Sequence, residues 1–263
     1  MKILTLGPNG TYSSIASKKA FPKAQIEFAD TVSHVFDEFK KNKYDALVAP
    51  VENTIYGTER ETFDNLYESN LKIYNSIDLE IHHCLASQDK NFKIIASHIQ
   101  ALSQCKNFLN KNYSKIKLFK TSSTAEAALL AQKNSDYACI TNEETSKKYK
   151  LKIAHKNIQD FKNNKTKFWI ISKKYNPKKQ NFTSIVIKPN TDCAGLLLKL
   201  LMPFNYLNIN LTRLESRPVK GENGKYLFYI DFEGDFRDQK SVELLKILKT
   251  GEVVEELKVF GSY

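Results

Sequence analysis

The chain is short of arginine. Only Arg60, Arg213, Arg217 and Arg237 are present among 40 basic residues; the other 36 are Lys. Against 29 acidic residues this leaves a net charge of +11. A basic chain points to nucleic acid only when a reading motif accompanies the charge. No recognition-helix, RNP or zinc-finger pattern is present, so the lysines read as solvated helix faces and loops. Cysteine is scarce as well. Cys84, Cys105, Cys139 and Cys193 form no C-x-x-C, which excludes the common zinc and thiol-redox motifs. Four reduced, mostly buried thiols are expected. No stretch approaches the ~20 apolar residues of a membrane span. The apolar run behind Met1 is too short for a signal-peptide core. These absences predict a soluble, cytoplasmic protein with no membrane partner. No metal-ligand spacing, Walker loop or dinucleotide fingerprint occurs, so neither metal nor cofactor is expected.

What is present fits a folded chain of about two domains. The length is 263 residues, and a hydrophobic share of 41% is too high for disorder. Up to about residue 175, short β-rich runs alternate with helical patterns. Strands are predicted at 2–6, 25–29, 45–51, 92–96, 115–119, 137–140 and 167–172, with a long β-rich stretch over 71–85. Val32, Val35, Phe36 and Phe39 have helical spacing behind the capping residue Thr31. Ala101, Leu102, Cys105, Phe108 and Leu109 line another helix face. Three pairs have capping-box spacing: Thr58 with Glu61, Ser123 with Glu126 and Thr141 with Glu144. Such alternation implies an α/β domain with a mostly parallel sheet covered on both faces. The stretch 176–181, with Pro177 and two lysines, reads as a linker. Beyond it the order is strand, helix, strand, strand, helix, strand, the ferredoxin-like βαββαβ arrangement. The predicted domains are 1–176 and 183–263.

Ligands of open α/β sheets bind beyond the carboxyl ends of strands, near helix N-termini. Five segments occupy such places. Gly7-Pro8-Asn9-Gly10-Thr11 is a glycine turn ending on a helix cap. Glu52, Asn53 and Thr54 are consecutive polar residues after an apolar strand. Ser97 ends a strand, and Gln104 lies about two turns into the next helix. His98 has no nucleophile and orienter to complete a triad, and reads as a solvated or capping residue. Thr121 to Glu126 offers hydroxyls and free amides at a helix start. Gln159 to Phe168 combines two Asn, Thr166 and three Lys before an apolar strand.

In order and wording these segments resemble the prephenate dehydratase family. Its G-P-x-G-T opening is Gly7 to Thr11, and its P-[IV]-E-N-S-x-x-G segment is Pro50 to Gly57 with Thr54 for Ser. Its S-H-P-Q-A-L-x-Q-C segment is Ser97 to Cys105 with Ile99 for Pro, and S-T-A-x-A is Ser123 to Ala127. Its I-Q-D-x-x-x-N-x-T-R-F signature is Ile158 to Phe168, with Lys167 for Arg. The C-terminal part resembles an ACT regulatory domain. Gly195 to Leu198 stands for G-A-L-[VY], and Glu215-Ser216-Arg217-Pro218 keeps E-S-R-P.

The resemblance implies a two-lobed catalytic domain like a periplasmic binding protein, with the site in its cleft. It implies loss of CO2 and the ring hydroxyl from prephenate, giving phenylpyruvate for phenylalanine synthesis, without a cofactor. Thr166 takes the catalytic role. Thr11, Glu52, Asn53, Thr54, Ser97, Gln104, Ser123, Thr124, Lys167 and Phe168 are implied substrate contacts. Gly195, Leu196, Leu197, Glu215, Ser216, Arg217 and Pro218 are implied to bind phenylalanine as effector, and a homodimer or homotetramer follows from ACT pairing. Lys167 keeps the charge of the family Arg but not its planar fork, which predicts weaker substrate binding. Lys165 and Lys167 are expected to draw a dianion toward the cleft. Leu196, larger than the family Ala, is expected to crowd the effector pocket. Arogenate dehydratase, a catalytically decayed amino-acid sensor and a solute-binding protein are the alternatives.

Overall fold

The computed structural model describes residues 1–41, 43–219, 221–222 and 224–263. The chain separates into two compact units. One comprises Met1–Thr62 and Ile77–Phe168, the other Phe63–Ser76 and Trp169–Tyr263.

The first unit begins with β1 (Lys2–Leu6), α1 (Tyr12–Ala20), β2 (Gln25–Ala29), α2 (Val32–Lys41), β3 (Ala46–Asn53) and β4 (Gly57–Thr58). The boundaries between units fall inside α3 (Arg60–Tyr67), β5 (Lys72–Glu80) and β11 (Lys165–Ser172). The first sheet runs β2-β1-β3-β11-β5, with β4 hairpinned onto β3. Its β1–β2 and β1–β3 pairs are parallel. Leu47, Val48, Ala49 and Val51 of β3 are all buried, as a strand covered on both faces requires. Val32, Val35, Phe36 and Phe39 of α2 are the buried stripe their spacing predicts.

A second sheet holds β6 (Cys84–Ser87), β7 (Ile94–His98), β8 (Lys117–Thr121), β9 (Tyr137–Thr141) and β10 (Lys152–His155). Between its strands lie α4 (Ile99–Gln104), α5 (Lys106–Tyr113), α6 (Thr124–Lys133) and α7 (Glu143–Lys148). Its order is β10-β6-β9-β7-β8, and β6 runs antiparallel to both of its neighbours. The antiparallel β6 departs from the mostly parallel pattern expected of the alternation. The long β-rich stretch over 71–85 breaks at Ile81–His83, and its halves join different sheets. The edge strand β10 escapes a sequence reading because KIAH lacks alternating apolar residues. Cys84, Cys105 and Cys139 are buried and Cys193 is exposed.

Two of the three capping boxes do not form. Thr58 lies in β4 and α3 starts at Arg60, while Glu61 accepts from the main-chain N–H and hydroxyl of Ser33. Thr141 remains in β9, and Asn142 caps α7 instead, accepting from Thr145 N. The Ser123 hydroxyl does cap α6, but the Glu126 carboxylate closes on Ser122 N and Oγ, each at 2.7 Å. Spacing alone does not choose among adjacent polar residues, each able to accept from the free amides of a first turn.

The second unit contains β12 (Phe182–Pro189), α8 (Leu196–Tyr206), β13 (Leu211–Pro218), β14 (Tyr226–Glu233), α9 (Gln239–Thr250) and β15 (Val254–Ser262). The sheet order β13-β14-β12-β15, antiparallel throughout, is the ferredoxin-like order. Ile185, Ile187, Ile230 and Phe232 pack against Leu200, Phe204, Leu244 and Leu248 of the helices. On the other face Phe63, Trp169, Tyr229 and Tyr263 form an aromatic group, with the Arg213 guanidinium 5.0 Å from the Phe63 ring centre.

Candidate active site

The carboxyl ends of β1, β3 and β7, the start of β11 and the N-termini of α1, α4 and α6 meet around a cleft of about 390 Å³ in the first unit. That volume suits a small organic ligand. Two of the sequence-predicted residues bond to each other there. Asn53 ends β3, and Thr166 is the second residue of β11. The Asn53 Nδ2 donates to Thr166 Oγ1 at 2.9 Å, Asn164 Oδ1 at 2.8 Å and Lys165 O at 3.2 Å. Its Oδ1 accepts from the N–H of Ile55 and of Tyr56, the Asx turn that carries the chain into β4. Asn53 is thus held at both ends. A hydroxyl has one donor and two acceptor sites. Asn53 occupies an acceptor site of Thr166, which leaves the Thr166 proton to be donated into the cleft.

Thr11 caps α1, accepting from Ser14 N, and Ser123 caps α6; Thr124 is that helix's first residue. All three line the cleft, as do Glu52, Gln104 and Phe168. Helix N-termini carry partial positive charge and unsatisfied N–H groups. They matter here because no Lys or Arg is among the described residues lining the cleft, while Asp30, Glu52 and Glu59 are. Burial, aided by the charge of Glu61, raises the Glu59 carboxyl above its ordinary value. An anionic ligand would therefore be held by main-chain amides and neutral side chains.

Three predicted contacts lie elsewhere. Thr166 and Phe168 face the cleft, so strand alternation directs Lys167, between them, to the opposite face of the sheet. Strand phase therefore argues against a substrate grip by Lys167. Lys165, with its ammonium 3.8 Å from Glu80, is not among the described lining residues either. Ser97 is fully buried and donates to Ile140 O at 2.6 Å, fastening β7 to β9. Thr54 donates to Asn163 O and accepts from Lys165 N, pinning the loop before β11. Neither lines the cleft.

Sequence reading missed other lining residues. His98 is at the cap position of α4 but makes no capping bond; it faces the cleft, and burial lowers its ring below the usual histidine value. Tyr56 lines the cleft and donates from its hydroxyl to Gln100 O at 3.1 Å, linking the β4 hairpin to α4. His83 lines it from the turn between β5 and β6. Nothing in the local sequence marks His83, since its position depends on where the chain passes from one sheet to the other.

In the second unit, Gly195 has a left-handed backbone (φ 78°) just before α8. Leu196 is buried in the core and borders a cavity of about 190 Å³ with the β12–α8 loop. Leu197 is exposed. Glu215, Ser216, Arg217 and Pro218 alternate along β13. Arg217 is engaged within the unit, with Nη1 at 2.5 Å and Nη2 at 3.1 Å from the two carboxylate oxygens of Asp64.

The sequence pattern of the family described as prephenate dehydratase matches residues 3–176. A prephenate dehydratase of Methanocaldococcus jannaschii is 39% identical over 250 residues, which is 92% of this chain and 91% of that protein. Two solved structures share the fold. The prephenate dehydratase of Arthrobacter aurescens in complex with L-Phe has a TM-score of 0.88 at 23% identity, covering 99% of this chain and 89% of its own. GqqA, described as a novel type of quorum quenching acylase, has a TM-score of 0.88 at 20% identity, covering 100% and 98%. The motif-bearing strand ends, the cleft they enclose and this extent of identity agree: the chain belongs to the prephenate dehydratase family.

Proposed function

We propose that the protein is a lyase that converts prephenate to phenylpyruvate, CO2 and water in phenylalanine biosynthesis. The observation that carries this reading is the Asn53–Thr166 pair, which aims a hydroxyl proton into a cleft furnished with helix N-termini. As the ring carboxylate leaves as CO2, its bonding electron pair enters the ring. The hydroxyl on the opposite ring carbon departs with its own bonding pair and takes up a proton to become water. Thr166 supplies that proton and is reprotonated from solvent. Aromatisation drives the step, so the protein's part is orientation and hydrogen bonding where charge develops. Amides at the starts of α1 and α6, with Thr11, Ser123 and Thr124, hold the carboxylates; Glu52, Gln104 and Phe168 complete the wall. Phenylpyruvate formation from prephenate by the purified chain tests the reading. No turnover would favour the amino-acid sensor, and faster turnover of arogenate would reassign the substrate.

Lys167 provides a sharper test of the strand phase. Lys167→Ala is expected to change the KM for prephenate less than about threefold, as for a half-buried charge that does not line the cleft. A tenfold rise would restore Lys167 to the site.

The second unit is proposed as an ACT-type regulatory domain, with residues 183–263 as its core and 1–176 as the catalytic domain. Its ferredoxin-like order and the small cavity beside Leu196 support phenylalanine as the effector. Calorimetry with phenylalanine is expected to show saturable binding; a flat titration would remove the effector. Leu198, Met202 and Tyr206 form an exposed apolar stripe on α8, with Leu214 exposed on the edge strand β13. A stripe of this kind supports pairing of two copies through this unit.

A further inference from the structure

His83 is 2% exposed, and its ring Nε2 lies 2.5 Å from Oε1 of Gln104. Its Nδ1 is buried with no hydrogen-bond partner. A neutral imidazole carries one N–H. With the proton on Nδ1, a buried donor would be unmet, a costly and uncommon arrangement. With the proton on Nε2, the donor is used and only a lone pair is left over. Hydrogen-bond accounting therefore selects the Nε2–H tautomer, donating to Gln104 Oε1. Burial holds the ring below the usual histidine value, against the opposing effect of the Gln104 bond, so the ring is neutral near pH 7.

The pair is braced on several sides. The His83 main-chain N–H donates to Gln159 Oε1 at 2.9 Å, and Gln159 Nε2 lies 3.1 Å from His82 Nδ1. The Tyr12 ring meets the His83 ring edge-on, centroids 6.0 Å apart. The Asp160 N–H donates to Gln104 O at 2.6 Å, at the end of α4.

We propose that His83 is a positioning residue that locks the Gln104 carboxamide with its oxygen turned away from the substrate and its NH2 turned toward it. The chemistry makes that orientation consequential. A carboxamide differs at its two ends only by which is donor and which acceptor. Prephenate brings two carboxylates into a cleft lined by Asp30, Glu52 and Glu59, so an oxygen presented there would repel what an NH2 attracts. By holding the oxygen, His83 makes Gln104 a fixed donor. The inference rests on the prephenate reading for its substrate, but the His83–Gln104 contact can be tested without it.

Steady-state kinetics of the full chain supply the first test. His83→Leu is expected to raise the KM for prephenate about tenfold, the loss of one oriented hydrogen bond, with a smaller fall in kcat. His83→Gln, whose amide N–H reaches the same place, is expected to keep KM within about threefold of the starting protein. In a Gln104→Ala background, His83→Leu should add no further effect. The second test is the ring nitrogen spectrum of protein labelled with 15N-histidine, assigned by its loss in His83→Gln. It is expected to show a neutral Nε2–H tautomer and reads the contact even where His83→Leu fails to fold. An Nδ1–H tautomer, an unchanged KM in His83→Leu, or equal impairment of the Leu and Gln variants would overturn the inference. Absence of prephenate turnover in the starting protein would overturn the functional reading instead, with the tautomer still deciding the contact.

Discussion

Thr166→Val is expected to lower kcat for phenylpyruvate formation by about 10²–10³-fold while KM moves less than about threefold. Valine matches threonine in shape and differs by the hydroxyl, so the substrate would still be bound and the departing oxygen would lose its proton donor. An interaction made only as the bond breaks appears in kcat, not in KM. The fold should tolerate the change, because Asn53 Nδ2 keeps Asn164 Oδ1 and Lys165 O as acceptors. Thr166→Ser should recover most of the loss, since it restores the hydroxyl. Initial rates over a range of prephenate concentrations, with a thermal melt of each variant, decide the matter. A kcat within fivefold of the starting protein would remove Thr166 from its role.

The largest stability effect is expected in the second unit. Gly261→Ala should cost about 3–5 kcal/mol and lower the melting temperature by roughly 10 °C or more. Gly261 has φ +142°, and a Cβ built there would lie 2.3 Å from the Ile73 carbonyl oxygen and 3.2 Å from Ile73 C and N. All three atoms are backbone of β5, so no side chain can turn aside. Gly261 pairs with Ser184 while Val259 pairs with Ile185, so Phe260 is the extra residue of a bulge in β15. Moving the glycine would break this pairing beside the core. Gly57 offers the contrast: it also has positive φ, but open space where its Cβ would go, so alanine there meets only the backbone penalty. A calorimetric or circular-dichroism melt of Gly261→Ala within about 2 °C of the starting protein would contradict this account.

Much of the local structure was legible before any coordinate. The α2 stripe, the cap at Ser123 and the order of elements along the second unit come from spacings of three, four or two residues, and the cap at Thr11 from the glycine turn before it. These periods arise from the geometry of a single helix or strand. The spacings at Thr58 and Thr141 mislead because a neighbouring residue satisfies the same amides or a strand continues past the cap. The stretch over 71–85 was seen as β but not as two strands of different sheets, since pairing partners lie far along the chain.

The site divides in the same manner. Family membership, the cleft-forming strand ends and the residues Thr166 and Asn53 are written in five ordered motifs, because a motif is a local string that can be read locally. Three-dimensional packing decided which members of those motifs line the cleft. It turned Lys167 to the opposite face of β11, spent the Ser97 hydroxyl on Ile140 and the Thr54 hydroxyl on the loop before β11, and brought in His83 from outside every motif. Strand alternation sets a period of two, but its phase is chosen by what each face buries. A hydrogen-bond partner distant in sequence is likewise chosen by packing. Arginine's scarcity, the first irregularity of the sequence, therefore bears little on the cleft: its described lining contains no lysine or arginine, and helix ends and amides stand in their place.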